Sequence, residues 1–445
     1  LLAVLGAAEV APYWFGMQAE HAYNDHLQQA AQDGRFTVSN AHYERGWLVS
    51  TADATITPSA LPLSVTVTST IHHGPFPLIG ELQWTAHTAL VTSQIGLPFP
   101  PGLPPLTART LIHLDRQSET RLALPAHKHA WPEGGGVEWQ AGSGEFSASG
   151  EARRVKASFV LPALEIRSTE ANASFTRLGL SVDRRPAPSG LSLVDFSVSL
   201  DRLAASGPQG KPTLAGLRLG MGSEESAGTL SLSFNFEFRE LNDGEVAYGP
   251  AQLTLKLGKL DSALLAKYQQ QLTAAETAPA AGQQAMIGKT LELVAGLARK
   301  APELELTRLS LKTPGGEISG SGKLVLDGGK LDVAENPMLL LSALNGEGKI
   351  LVPNGVVKAL AEKDIHRKVA DLKAKGSLSE QEAKQLTPEK LAQVSAKMLP
   401  RTMDEVARRH HLVPDGQDYK LSATFKQGRL LVNGKPLEQP LRLAP

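Results

Sequence analysis

Residues 229–238 read TLSLSFNFEF, and the architecture turns on where their apolar members fall. Leu230, Leu232, Phe234, Phe236 and Phe238 occupy every second position, with Ser, Asn and Glu between them. Successive side chains of a strand point to opposite faces, so period two puts all five on one side and the polar residues on the other. The same alternation recurs in Leu63, Val65 and Val67, in Leu178, Leu180 and Val182, and in QLTLKLGKL through Leu253, Leu255 and Leu257. It predicts antiparallel sheets with one face packed and one solvated, not the continuous apolar runs of a parallel α/β core. The expected class is mainly β with α segments (α+β): an extended, curved antiparallel sheet with helical insertions.

Working outward, the period changes where the elements change. Ala19, Tyr23, Leu27 and Ala30 follow helical spacing over 18–31 and stop at Asp33-Gly34, so residues 1–32 read as a membrane-proximal stem helix at the end of a signal anchor. Residues 33–261 read as an antiparallel β region. A helical segment over 262–302 opens on a Ser262 N-cap, and 303–352 returns to strands. A second helical segment covers 353–413, where Gly376 ends one helix and Pro388 starts another at its first position. Residues 414–445 form a C-terminal hairpin with turns at Gln427-Gly428 and Asn433-Gly434.

Composition excludes several classes. The 445 residues carry 45 Lys plus Arg against 45 Asp plus Glu, so no basic footprint for nucleic acid exists and no such partner is expected. There is no cysteine, which removes disulfides, thiolate metal sites and cysteine nucleophiles. The first residues, LLAVLGAAEVAPYWFG, open apolar and without Met, as the tail of a signal anchor would, and Tyr13, Trp14 and Phe15 suit the headgroup level of a bilayer. The competing reading of this segment is a buried N-terminal helix with an aromatic plug.

No motif carries chemistry. GGEISGSGKL lacks the first glycine of a phosphate loop, having Glu317 there, and follows Lys323 with Leu324 instead of Ser or Thr. GSGEFSASG lacks dinucleotide-loop spacing. His127 and His129 would share a strand face but have no third ligand, and flanking Pro125 and Pro132 suggest an exposed loop. No Gly-x-Ser-x-Gly elbow occurs, and Glu224 and Glu225 read as solvated carboxylates in a Gly/Ser loop. No catalytic residue, cofactor or metal is expected, and the protein reads as a non-enzyme.

Four stretches carry a resemblance: YERGWLVS (43–50), HHGPFPL (72–78), AQLTLKLGKLD (251–261) and GRLLVNGKPL (428–437). They resemble, in order, the YdgA-like family of bacterial envelope proteins, a family of unknown function. The resemblance implies an inner-membrane signal anchor, a β-rich periplasmic body and no established activity or cofactor. Its motif positions are Tyr43, Arg45, Gly46, Trp47, His73, Gly74, Pro75, Phe76 and Pro77. Their residue types read as scaffold: Gly46 admits a turn with Tyr43 and Trp47 packed around it, and Gly74, Pro75 and Pro77 stiffen a turn presenting Phe76. Two functions are expected from the apolar strand faces and the helical segments. In the first, the anchored protein binds or carries a lipid or other apolar ligand on the face holding Leu230, Leu232, Phe234, Phe236 and Phe238. In the second, those residues fill a core and the helical segments dock an envelope protein or a second copy.

Overall fold

The computed structural model describes residues 13–21, 23–25, 36–59, 63–74, 87–96, 102–149, 153–208, 210–276, 282–328, 339–374, 388–426 and 428–436. It is mostly β, with every described strand pair antiparallel, and the sheet is open, not closed into a barrel. The chain divides into two compact units: residues 1–211, 217–228 and 262–290 form unit 1, and 212–216, 229–261 and 291–445 form unit 2.

Unit 1 is a meander. Strands β1 (Phe36–Glu44), β2 (Val49–Pro58), β3 (Val65–His73), β4 (His87–Gly96), β5 (Leu106–His113) and β6 (Ser118–Leu124) pair in sequence order. β9 (Gly142–Ala148) pairs with both β6 and the first half of β10 (Val155–Arg167). A small hairpin, β7 (His127–Ala130) and β8 (Gly136–Trp139), fills the rest of that β10 edge. β11 (Asn172–Pro186) and β12 (Ser192–Ser206) extend the sheet, and β13 (Thr213–Ser226) follows.

A helix, α1, described over 13–21 and 23–25, lies on the β2–β4 face. The expected stem helix therefore starts earlier than Gln18, and residues 26–35 lie outside the described residues. The reason is packing. Tyr13, Gly16, Ala19 and Tyr23 recur every three or four residues, so they share a stripe, and the seat beneath is made of small residues. Ala52, Ile71 and Ala89 are its buried centre, with Ser50 and Ala54 buried at alternate positions of β2.

Unit 2 repeats the meander with β14 (Thr229–Phe238), β17 (Ala251–Asp261), β18 (Glu303–Thr313), β19 (Gly316–Leu326), β20 (Leu344–Val352), β22 (Asp418–Lys426) and β23 (Arg429–Val432). Short strands β15 (Glu240–Asn242), β16 (Ala247–Tyr248), β21 (Val413–Asp415) and β24 (Lys435–Pro436) trim its edges. Asn433 and Gly434 both have positive φ, 51° and 76°, as the tight Asn-Gly turn between β23 and β24 requires. The further helices described are α2 (Ser262–Glu276) and α3 (Gly282–Ala298), of which α2 and the first part of α3 belong to unit 1, and α4 (Leu339–Ala343), α5 (Asn354–Ala374) and α6 (Pro388–Arg409) in unit 2. α5 and α6 bury Val357, Ala361 and Val406 against Val352, with Ile350 and Tyr419 packed alongside.

Two expectations about loops are corrected. His127 and His129 lie on β7, their rings stacked 6.3 Å apart, and His127 rests 5.2 Å from the Trp139 ring on β8. The prolines and glycines flanking them mark the hairpin's turns and not its strands. Glu224 and Glu225 lie on β13. The Glu225 carboxylate accepts hydrogen bonds from the Ser189 amide and hydroxyl at 3.3 and 2.8 Å. Burial raises its pKa, but the Ser189 and Ser262 hydroxyls overcome this and hold it below its ordinary value. Ser262 is the buried first residue of α2, so Glu225 ties that helix start to the β11–β12 turn.

Candidate functional site

The motif residues of the first half converge on one end of unit 1. Arg45–Leu48 is the turn between β1 and β2, and His73 and Gly74 end the neighbouring strand β3. The turn is held from within. The Gly46 amide donates to Ser50 Oγ at 3.3 Å, Ser50 Oγ shares a 2.9 Å hydrogen bond with His73 Nε2, and His73 Nδ1 sits 3.3 Å from the Trp47 carbonyl. One tautomer satisfies the series: His73 protonated on Nδ1, accepting from Ser50 on Nε2. The His73 amide also donates to the Leu48 carbonyl at 2.9 Å.

Both glycines are needed for close approach. A Cβ on Gly46 would lie 2.1 Å from the Val49 carbonyl oxygen, and one on Gly74 would lie 1.9 Å from that of His87. Neither has a positive φ, so crowding and not a left-handed backbone reserves these places for glycine.

What the turn holds is α1. Tyr43 and Trp47, expected to pack around Gly46, meet α1: the Trp47 ring lies tilted 5.3 Å from the Tyr13 ring and Tyr43 lies 5.4 Å from the Tyr23 ring. Arg45 donates to Glu20 at 3.0 Å and to the Tyr13 hydroxyl at 3.3 Å, with its guanidinium 5.1 Å from the Tyr13 ring centre. The Tyr23 hydroxyl donates to the Asp53 carbonyl at 3.1 Å. Burial raises the pKa of both tyrosines; for Tyr43 the nearby Ser50 hydroxyl opposes it. Gly16 lies directly over His73, where a Cβ would come 2.5 Å from the imidazole. Pro75, Phe76 and Pro77 lie outside the described residues.

A serine hydroxyl 2.9 Å from a histidine nitrogen has the geometry of a nucleophile and its base. Here Ser50 is 1% and His73 4% exposed, with Gly16 over the ring, so a docked α1 leaves no approach to Ser50 Oγ. Ser50 ends the stretch YERGWLVS, where neither period nor motif distinguishes it from the scaffold around it. Its only signal was that a hydroxyl and an imidazole stood in the two resembling stretches. Among the described residues, no three His, Asp or Glu side chains are placed to hold a metal ion, and no helix is long and apolar enough to cross a membrane.

The apolar residues of β14 belong to unit 2. Leu230, Leu232, Phe234, Phe236 and Phe238 stand opposite Leu260, Leu257, Leu255, Leu253 and Ala251 of β17 on one face. The row of Phe234 continues through Leu255, Leu306, Gly322, Gly348 and Ala423 to Val432. The other face carries Lys256, Glu305, Lys323 and Glu347 in alternating charge across four strands. The α5–α6 pair covers the end of the apolar face at Ile350 and Val352, but Phe234 remains 39% and Leu304 41% exposed. Unit 1 has a comparable face on β10–β12, where Phe159 stands opposite Leu180 and Leu180 opposite Val198, and Leu180 and Phe196 are exposed.

These features define a class: open antiparallel β proteins whose sheets keep a partly uncovered apolar face and whose N-terminal helix is clasped by a hairpin turn. The chain belongs to the family described as bacterial protein of unknown function, DUF945, whose model matches residues 1–440. No curated protein and no solved structure matches it.

Proposed function

We propose that this is a non-enzymatic envelope protein, tethered to the inner membrane through its N-terminal segment, exposed to the periplasm, and carrying a lipid on an apolar sheet face. Within its family it groups with the YdgA-like members that its four stretches resemble. One observation carries the ligand: the face through Phe234 and Leu304 is assembled from large apolar side chains, backed by charge, and only partly covered. Large exposed apolar patches on proteins mark contact sites for lipid or protein. The apolar residues 1–8 and the exposed aromatics of α1 support the tether.

Native mass spectrometry of protein extracted from its own membrane tests carriage. Bound species of phospholipid mass are expected on the native chain and depleted in a folded Phe234→Glu variant. Lipid-free protein in both refutes carriage. That result leaves the second reading, an interaction module, which exposed Leu360 on α5 and Met398 on α6 favour.

A further inference from the structure

The strands of unit 1 have two distinct ends. Val49 pairs with His72, His73 with Ala89, and His87 with His113, so the β1–β2 turn, the end of β3 and the β5–β6 turn at 114–117 share one end. Ile56 pairs with Val65 and Thr66 with Gly96, which places Leu63, just before β3, at the other. At about 3.4 Å per residue, the ten residues of β2 separate the two ends by roughly 30 Å.

The first end is tipped with apolar side chains. Trp47 is 56% exposed and Leu114 55% exposed, and Leu48, Val49, Tyr13 and Trp14 are exposed as well. The direction of α1 agrees. Tyr13 meets Trp47 in the turn, whereas Tyr23 reaches Asp53, further along β2, so α1, which residues 1–12 precede in the sequence, has its Tyr13 end here. Those residues begin LLAVLGAA, eight in a row without charge. Among the described residues, the charged groups here include Glu44, the Arg45–Glu20 pair and, in and just after the second turn, Asp115, Arg116 and Glu119. Trp and Tyr flanked by charge suit the headgroup layer; Asp and Arg would be costly in hydrocarbon.

The geometry points to this end of unit 1 as a membrane-docking surface: Trp14, Trp47, Leu48 and Leu114 sit in the interfacial layer of the bilayer, so unit 1 is held in a fixed orientation and does not swing on a free tether. Leu48 and Leu114 are the depth gauges, and the strands of unit 1 rise from the surface. The inference rests on the tether proposed above and adds an orientation to it.

Because the chain lacks cysteine, single Leu48→Cys, Leu114→Cys and Leu63→Cys variants of the full chain accept one environment-sensitive fluorophore each. They are reconstituted with vesicles of phosphatidylethanolamine and phosphatidylglycerol, and co-flotation is scored first. Quenchers attached to the upper acyl chain are expected to remove most of the emission at 48 and 114 and leave 63 unchanged. Failure to float overturns the tether and the orientation together. Flotation with all three labels equally unquenched, or with only Leu63 quenched, overturns the orientation alone.

Discussion

Gly16→Ala is the sharpest probe of how α1 is held, because two effects of opposite sign meet at one methyl group. In a helix interior, replacing glycine by alanine ordinarily gains about 1 kcal/mol through propensity alone. Here the new Cβ would sit 2.5 Å from His73 Cε1 and 2.8 Å from Nδ1. Ordinary carbon contacts begin at about 3.5 Å, so the overlap is close to 1 Å. A free side chain would swing aside, but His73 is buried and held by Ser50 at 2.9 Å and near the Trp47 carbonyl at 3.3 Å. Overpacking against such a fixed group costs about 1–3 kcal/mol, so the net expectation is a loss of up to roughly 2 kcal/mol, or release of α1 from its seat. Urea unfolding gives the first quantity, and hydrogen exchange of the α1 peptide gives the second. In a His73→Ala background the obstacle is gone, and the same Gly16→Ala change is expected to stabilise. A coupling of about 1–3 kcal/mol between the two positions therefore follows. If Gly16→Ala stabilises equally in both backgrounds, α1 does not pack on His73 and the account of the clasp is wrong.

Gly74→Ala places its Cβ against the His87 carbonyl and disturbs the 2.7 Å hydrogen bond from the Gly74 amide to the Thr88 carbonyl; a loss of about 2–4 kcal/mol is expected in chemical unfolding. Tyr23→Phe removes a hydrogen bond to the Asp53 carbonyl and is expected to cost about 1 kcal/mol, whereas the Tyr43 hydroxyl, buried without a well-formed hydrogen bond, is expected to be dispensable in a parallel Tyr43→Phe titration. Ser50→Ala leaves the Gly46 amide and His73 Nε2 without this hydroxyl and is expected to cost about 1–3 kcal/mol, read as faster exchange at the β1–β2 turn. For Glu225 the folded pKa lies below its ordinary 4.5, so its stabilising share is present above that value and lost as pH falls through the folded pKa. The stability gap between native protein and Glu225→Gln is thus expected to be constant near neutrality and to close below about pH 4.5, as followed by unfolding at stepped pH.

Much of the strand content was legible because period two is a local signal. TLSLSFNFEF becomes β14 with the same bounds, AQLTLKLGKLD becomes β17, α2 opens at Ser262 and α6 at Pro388. Neighbour relations were less accessible. That β9 leaves its sequence neighbours to join β6 and β10, and that two strands share one edge of β10, depends on pairing energies summed along whole strands. The seat of α1 was hidden for a different reason. Ser50, Ala52 and Ala54 alternate with polar residues, but small side chains give almost no hydropathy signal, and their value is the room they leave for a helix. The Ser50–His73 bond spans 23 residues and joins two residue types that are polar in any reading, so spacing alone could not have paired them.

Alternation also fixes which face of a sheet is apolar without saying what lies over it, and here the helices decide. α5 and α6 turn Val357, Ala361 and Val406 into one shared core with Val352, and Ile365 is also fully buried. Each such valine or isoleucine side chain, once withdrawn from water, contributes about 1.5–3 kcal/mol, which favours spending the pair's apolar stripe on that compact cluster over spreading it across the sheet. Beyond it the pair shows charge, as in the Arg409–Asp364 bridge at 2.7 Å and the Lys368–Glu405 bridge at 3.2 Å. Such surfaces make poor covers for Phe234 and Leu304. The openness of that face is therefore a consequence of how the helices pair, and substitutions that loosen α5 from α6 should alter the coverage of Val352 before they alter that of Phe234.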